Sequence, residues 1–137
     1  MDTQLHKQQM YNVIGAAMAV YNEIGYGFSE LIYQECLSIV CTEKGIPWER
    51  EKPLKMMFHG IELEKLYKAD FVCYDDIIVE LKAVSELVGE HRAQLFNYMK
   101  IANTHFGILI NFGEPQRLHA EKYMYNELTN KFDIIRG

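Results

Sequence analysis

Apolar residues recur at three- and four-residue steps over residues 8–24, at Met10, Val13, Ile14, Ala17, Met18, Tyr21 and Ile24. That period lines one face of a helix, and Gly25 ends it. Gly25-Tyr26-Gly27-Phe28 is a glycine-punctuated turn, after which Ser29 can cap a second helix reaching about Lys44 and closed by Gly45. Leu31, Ile32, Leu37, Val40 and Cys41 supply its core face, so the two helices predict an αα unit with a short connection. Beyond Pro47 the pattern shortens to extended segments over residues 48–54, 55–59 and 61–67, with His59-Gly60 as a turn. Two β-favouring runs follow, residues 71–74 and 77–83, with Asp75-Asp76 between them in the composition of a tight turn. They predict a hairpin whose second strand, apolar on both faces, lies inside a sheet. Ser85 can cap a third helix over residues 86–102, and residues 105–112 form a buried strand ended by Gly113. Strand, helix and strand in succession imply a crossover with the last strand parallel to residues 77–83. The tail predicts a short strand near residues 117–120 and an edge segment. Together these describe one α/β domain over residues 1–137, a mixed sheet flanked by helices, two of them N-terminal.

The hairpin carries charges where a plain core strand would not. Glu80 and Lys82 are two apart and share a face, and burial of either is expensive without a partner. Asp70 joins that face only if the loop is odd in length or the strand bulges. A two-residue Asp75-Asp76 turn would set Asp70 opposite Leu81, on the other face; one more residue pairs Asp70 with Lys82 and aligns all three charges.

Composition narrows the classes. With 137 residues, 49% apolar and 24% charged, the chain suits one globular domain. No apolar run approaches the ~20 residues of a membrane span, and the first residues lack the apolar segment of a secretory signal. Cys36, Cys41 and Cys73 have neither metal-site nor disulfide spacing, so reduced thiols in a cytoplasmic protein are expected. A net charge of −5 is the wrong sign for gripping long nucleic acid through the overall field, though it permits a local basic groove.

Asp70, Glu80 and Lys82 on one face make a cation site beside an ammonium. Two carboxylates and the Leu81 carbonyl offer hard oxygen ligands for Mg²⁺, with positions left for water and phosphate oxygens. Such an ion lowers the pKa of a bound water, and the adjacent lysine can orient it; phosphodiester hydrolysis is the reaction class. Glu30, three residues before Tyr33 on the second helix, could add a third carboxylate. Gln94 and Tyr98, four apart on the third helix, could position the lysine, the water or a phosphate. The plainer reading makes Glu80 and Lys82 a cross-strand ion pair, Asp70 a turn cap, Glu30 a helix-dipole partner and Tyr33 a packing residue. The doubly apolar strand and the Gln/Tyr stripe on the next helix speak against it.

Asp70…Glu80-x-Lys82 followed by Gln94-x-x-x-Tyr98 resembles the PD-(D/E)xK nuclease superfamily, including the trailing Gln-x-x-x-Tyr helix of its RecB-like exonucleases. Gly27-Phe28-Ser29-Glu30-Leu31-Ile32-Tyr33 resembles the Gly-x-x-Glu-x-x-Tyr signature of the GxxExxY family within it, as do the segments at residues 78–83 and 107–113. Ala69 stands where the superfamily's name has proline, a loosely kept position. The likeness spans residues 11–113. It implies a restriction-endonuclease-like fold, with Glu30, Asp70 and Glu80 as metal ligands and Lys82 as the catalytic lysine, supported by Gln94 and Tyr98. Tyr33, Lys68 and Arg92 are expected on the substrate side. The implied activity is Mg²⁺- or Mn²⁺-dependent cleavage of nucleic acid, DNA before RNA, with no membrane partner; a homodimer would help so small a domain engage a duplex. The competing function is a nuclease-fold module that binds a partner without catalysis. Convergence of Lys65, Lys68, Arg92 and Lys100 around the carboxylates would favour the nuclease.

Overall fold

In the computed structural model, which describes residues 3–136, α1 (Thr3–Ile24) and α2 (Glu30–Glu43) precede β1 (Trp48–Phe58), β2 (Ile61–Cys73) and β3 (Ile77–Lys82). Then come α3 (Gly89–Ala102), β4 (Phe106–Asn111), β5 (His119–Asn126) and β6 (Lys131–Ile135). The six strands form one sheet in the order β1-β2-β3-β4-β5-β6. Every neighbouring pair is antiparallel except β3 and β4, which the α3 crossover makes parallel. This is the mixed α/β sheet that the apolar pattern predicts.

Strand alternation divides the interior in two. Ile77, Val79 and Leu81 of β3 and Phe106, Ile108 and Ile110 of β4 pack against Met10, Val13, Ala17 and Val20 of α1 and Tyr33, Leu37 and Cys41 of α2. The intervening Ile78 and Leu109, with Val72, meet Leu95 and Met99 of α3 on the opposite face. β3 and β4 are thus covered on both sides, which is why their sequences read as continuous apolar runs.

Several elements differ from the sequence expectation. α1 starts at Thr3, and its added turn brings His6 to stack on Phe106, ring centroids 4.1 Å apart. β1 runs through both segments expected within residues 48–59, interrupted only by Glu51 at positive φ and by a register shift between Lys55 and Met57, and with β2 it forms a long ribbon whose outer half is exposed on both faces. With no buried side to impose alternation, that half carried no clear strand signal. α3 begins at Gly89, so Ser85 lies outside it; Val88 holds the N-cap position and the His91 ring nitrogen Nδ1 accepts the Val88 N–H at 3.1 Å. The tail forms a complete hairpin, β5 with β6, where only short segments were expected.

The turn between β2 and β3 also moves. The Asp76 N–H donates to the Cys73 carbonyl, and the two central residues, Tyr74 and Asp75, have φ of 54° and 61°. This mirror-image turn suits the strand twist but strains a tyrosine. Tyr74 is held there by its N–H donating to the Pro47 carbonyl and by the Asn12 amide donating to its hydroxyl oxygen.

The far end of β4 is tied to the segment after β3. Buried Asn111 accepts the Val84 and Gly113 N–H groups on Oδ1 and donates Nδ2 to the Val84 carbonyl. Gly113 consequently passes so close to residues 83–84 that a Cβ would collide with the backbone of Ala83 and Val84. At Gly107 an added Cβ would instead meet the Met99 sulfur at 2.6 Å and the end of Leu95, side chains that can move. Gly113→Ala is therefore expected to cost about 3 kcal/mol or more and Gly107→Ala roughly 1–2 kcal/mol, measured by urea unfolding. Equal losses would mean that the 83–84 backbone yields as easily as the side chains.

Candidate active site

The β2–β3 ladder ends with Phe71 opposite Val79. One step further, carboxylates take over from carbonyls. The Asp70 N–H donates to Glu80 Oε2 at 2.8 Å, and the Leu81 N–H donates to Asp70 Oδ2 at 2.8 Å. The three residues between Cys73 and Ile77 make the loop odd, as the alignment of the charges requires. The pairing partner of Asp70 is Glu80, however, and not Lys82. The turn closes at Tyr74-Asp75, one residue early, which slides the register by two and preserves the parity.

On the other side of Asp70, β1 places Glu51, between the pairs Arg50–Phe71 and Lys52–Ala69. Its φ of 53° marks a break in the strand. Alternation slips here, since Ala69 and Val72 both face the α3-side core. Glu51 is close enough to raise the Asp70 pKa, as is Glu30. Nothing in the sequence singled out Glu51, one glutamate in a polar edge strand.

Glu30 is the first residue of α2. Gly27, at φ 108°, turns the chain into the helix. Tyr33 is fully buried: its ring stacks on Phe112 with centroids 4.3 Å apart, and its hydroxyl donates to the Gly25 carbonyl at 2.6 Å and accepts the Phe28 N–H at 3.3 Å. Tyr33 therefore pins the turn that delivers Glu30, a positioning role with no face left for a substrate.

Lys82 Nζ donates to Gln94 Oε1 at 2.9 Å, and Gln94 Nε2 donates to the Tyr98 hydroxyl oxygen at 3.1 Å. An ammonium can only donate, so the amide must present its oxygen to Lys82 and its nitrogen to Tyr98. The Tyr98 proton then remains available to an incoming acceptor. Arg92, by contrast, grips Glu121 of β5 with Nε and Nη2 at 2.7 and 2.8 Å. His119 and the Tyr123 hydroxyl join the same carboxylate, whose pKa Arg92 holds down at about 2. Lys65 lies over the Tyr67 ring and Lys100 over Phe132, while Lys68 is exposed opposite Pro53. Arg92 and Lys100 thus turn towards β5 and β6, and the four cations do not form one cluster.

Asp70 and Glu80 are raised well above ordinary carboxylates, first by burial and then by repulsion, Glu80 the more strongly. Glu80 is 2% exposed. Such a pair favours a shared proton or a bound cation over two bare charges. The donor chemistry fits a hard cation: all oxygen, without thiol or imidazole. Among the described residues no group of three or more His, Cys, Asp and Glu side chains is gathered as a metal cage. Mg²⁺ does not need one, because one or two carboxylates suffice when water and phosphate complete its shell.

The sequence profile of the PD-(D/E)XK nuclease superfamily matches residues 7–123. No curated protein matches the chain in sequence. Among solved structures, the crystal structure of SSO0001 superposes with a TM-score of 0.52 at 17% identity, over 87% of this chain. The chain covers 57% of that one, a likeness of fold. The mixed six-stranded sheet with its helices is consistent with a restriction-endonuclease-like fold.

The raised pKa of Glu80 fixes a sign. Its contribution to stability is complete below the unfolded value of 4.5 and is lost as pH climbs towards the native value. Metal-free Glu80→Gln, which cannot ionise, is expected to be more stable than the native protein by roughly 1–3 kcal/mol near neutral pH, the gain vanishing towards pH ~4.5. Urea unfolding across pH checks it; parallel profiles would mean that Glu80 ionises freely in the fold.

Proposed function

The chain belongs to the PD-(D/E)XK nuclease superfamily, and on that premise we propose that it is a divalent-metal-dependent nuclease that hydrolyses phosphodiester bonds in DNA. One observation carries the reading. Where β2 parts from β3, Asp70 and Glu80 each commit one oxygen to a backbone N–H, and Lys82 follows on the same strand, held by Gln94.

The roles follow from these contacts. Backbone bonds fix the direction of both carboxylates, so no side-chain rearrangement is needed when a substrate arrives. Superfamily members generally use divalent metals; here Asp70 and Glu80, with Glu30 nearby, would hold Mg²⁺ or Mn²⁺, which when bound lowers the pKa of water and offsets charge on the phosphoryl group. Lys82 contributes a fixed positive charge beside the attacked phosphorus and orients the incoming water. Gln94 stops the flexible lysine from wandering, and Tyr98 keeps the amide from flipping while its own proton is directed at a phosphate oxygen.

A second reading, a nuclease-fold module that binds a nucleic-acid or protein partner without cutting, draws support from the open arrangement of carboxylates and from the net charge of −5. Cleavage and metal binding separate the two. Native protein with Mg²⁺ or Mn²⁺ is expected to cut DNA, Asp70→Asn and Lys82→Ala to lose at least about 100-fold in rate, and Gln94→Ala roughly tenfold. Calorimetric metal binding that disappears in Asp70→Asn should accompany the loss. Metal binding with no cleavage of linear, circular or single-stranded DNA would move the assignment to the binding module.

A further inference from the structure

A cleft of about 530 Å³ opens directly beside the candidate site, between the β1–β2 ribbon and α3. Gln94 and Tyr98 belong to both, so whatever enters the cleft is a neighbour of the group held by Lys82. Its remaining walls are Tyr67 and Met56 from the ribbon and Ala93, Asn97 and Ile101 from α3, with Glu90 and Lys100 at its edges. A second cleft of about 290 Å³ shares Met56, Lys100 and Ile101 with the first and adds Lys55 and Met57. The two therefore make one groove that leads away from the carboxylates along the ribbon.

We propose that this groove binds a single strand of nucleic acid, with one unpaired base seated between the ribbon and α3 next to the scissile phosphate. The inference rests on the reading that the Asp70–Glu80–Lys82 site receives a phosphodiester. A volume of this size accommodates a compact organic group. The Tyr67 and Tyr98 rings, 5.8 Å apart and inclined at 57°, offer aromatic surface for stacking, and Met56 adds a polarisable wall. A base in a duplex has both faces occupied by its neighbours, so only an unpaired one can use these surfaces. The exposed Asn97 side chain makes no hydrogen bond with the described residues. Its amide gives one acceptor and a donor pair for the edge of a base. Lys55, exposed and only loosely paired with Glu62 at 3.7 Å, lines the continuation of the groove, where the backbone of the strand would run, while Lys100 borders it with its stem and keeps its ammonium over Phe132. The overall charge favours the same occupant: a chain with net charge −5 is repelled less by one strand than by a duplex of twice its charge density.

The test uses oligodeoxynucleotides with a single abasic residue stepped along the strand, and Ala93→Trp, which fills the cleft from an exposed helix position outside the catalytic set. Affinity is read by fluorescence anisotropy on the Lys82→Ala protein, which holds the strand uncut, with and without Ala93→Trp; cleavage is read separately on native protein and on Ala93→Trp. Thermal unfolding checks that the filled variant folds. Removing the base at one or two adjacent positions is expected to weaken binding roughly tenfold, and Ala93→Trp to abolish that dependence. Uniform affinity along the abasic series, duplex bound more tightly than single strand, or no binding at all would each overturn the base site. Cleavage that survives in both proteins alongside uniform affinity leaves the nuclease reading intact, and base-dependent binding without any cleavage retires the nuclease reading while the groove stands.

Discussion

Two carboxylates in place of two carbonyls, at the point where β2 parts from β3, are the constraint on which the rest of the structure depends. A sheet that simply continued would satisfy the N–H groups of Asp70 and Leu81 with backbone oxygens. Here Glu80 and Asp70 satisfy them instead. Each side chain is thereby fixed by the backbone of the other's neighbourhood, and the two negative charges are forced together in a poorly hydrated place. An unpaired buried charge is tolerated only where something compensates for it. The early turn at Tyr74, the slip in alternation beside Glu51 and the covering of β3 by helices on both faces all serve this one juncture.

The surrounding parts divide by what they hold. The turn from α1 to α2 is organised by a glycine at positive φ and by a tyrosine buried for the sake of its hydroxyl, so three motif positions become a bend, a carboxylate and a pin. α3 contributes from the other side, reaching the strand through an amide whose orientation the lysine dictates. On its next face, α3 is clamped to β5 by Arg92 and the buried Glu121. That clamp commits Nε and Nη2 of Arg92 to Glu121.

Local periodicity carried most of the fold, and it failed where burial did. The doubly apolar β3 and β4 could be read because both of their faces are covered, and the α1–α2 pair because its glycines fall at positive φ. The outer ribbon and the β5–β6 hairpin could not, since a half-exposed strand with charges on either face leaves no alternation to read. At the site, a shared phase for Asp70, Glu80 and Lys82 required an odd loop or a bulge, of which the structure has the odd loop, and an i, i+4 spacing put Gln94 beside Tyr98. The partner of Asp70 was misplaced by two residues because Tyr74, not Asp76, adopts the strained turn conformation. Arg92 looked available for a ligand; its partner Glu121 lies on β5, and no sequence rule pairs residues at that distance. For Tyr33 the sequence leaves packing and a substrate-side place both open, because only the fold shows the Gly25 carbonyl that takes its hydroxyl.

The short connection between β2 and β3 has a kinetic side. Asp70 and Glu80 belong to one hairpin closed by three residues, so they can meet early, while the chain is still wet and their repulsion is weak. The penalty arises when α3 and the crossover strand close over them and water leaves. Destabilisation of that kind belongs to the last part of the folding reaction: it leaves the folding limb of a chevron nearly unchanged and steepens escape from the native state. Without a cation, the protein's weakness is its lifetime once folded rather than the speed with which it folds, and Glu80→Gln would register as slower unfolding.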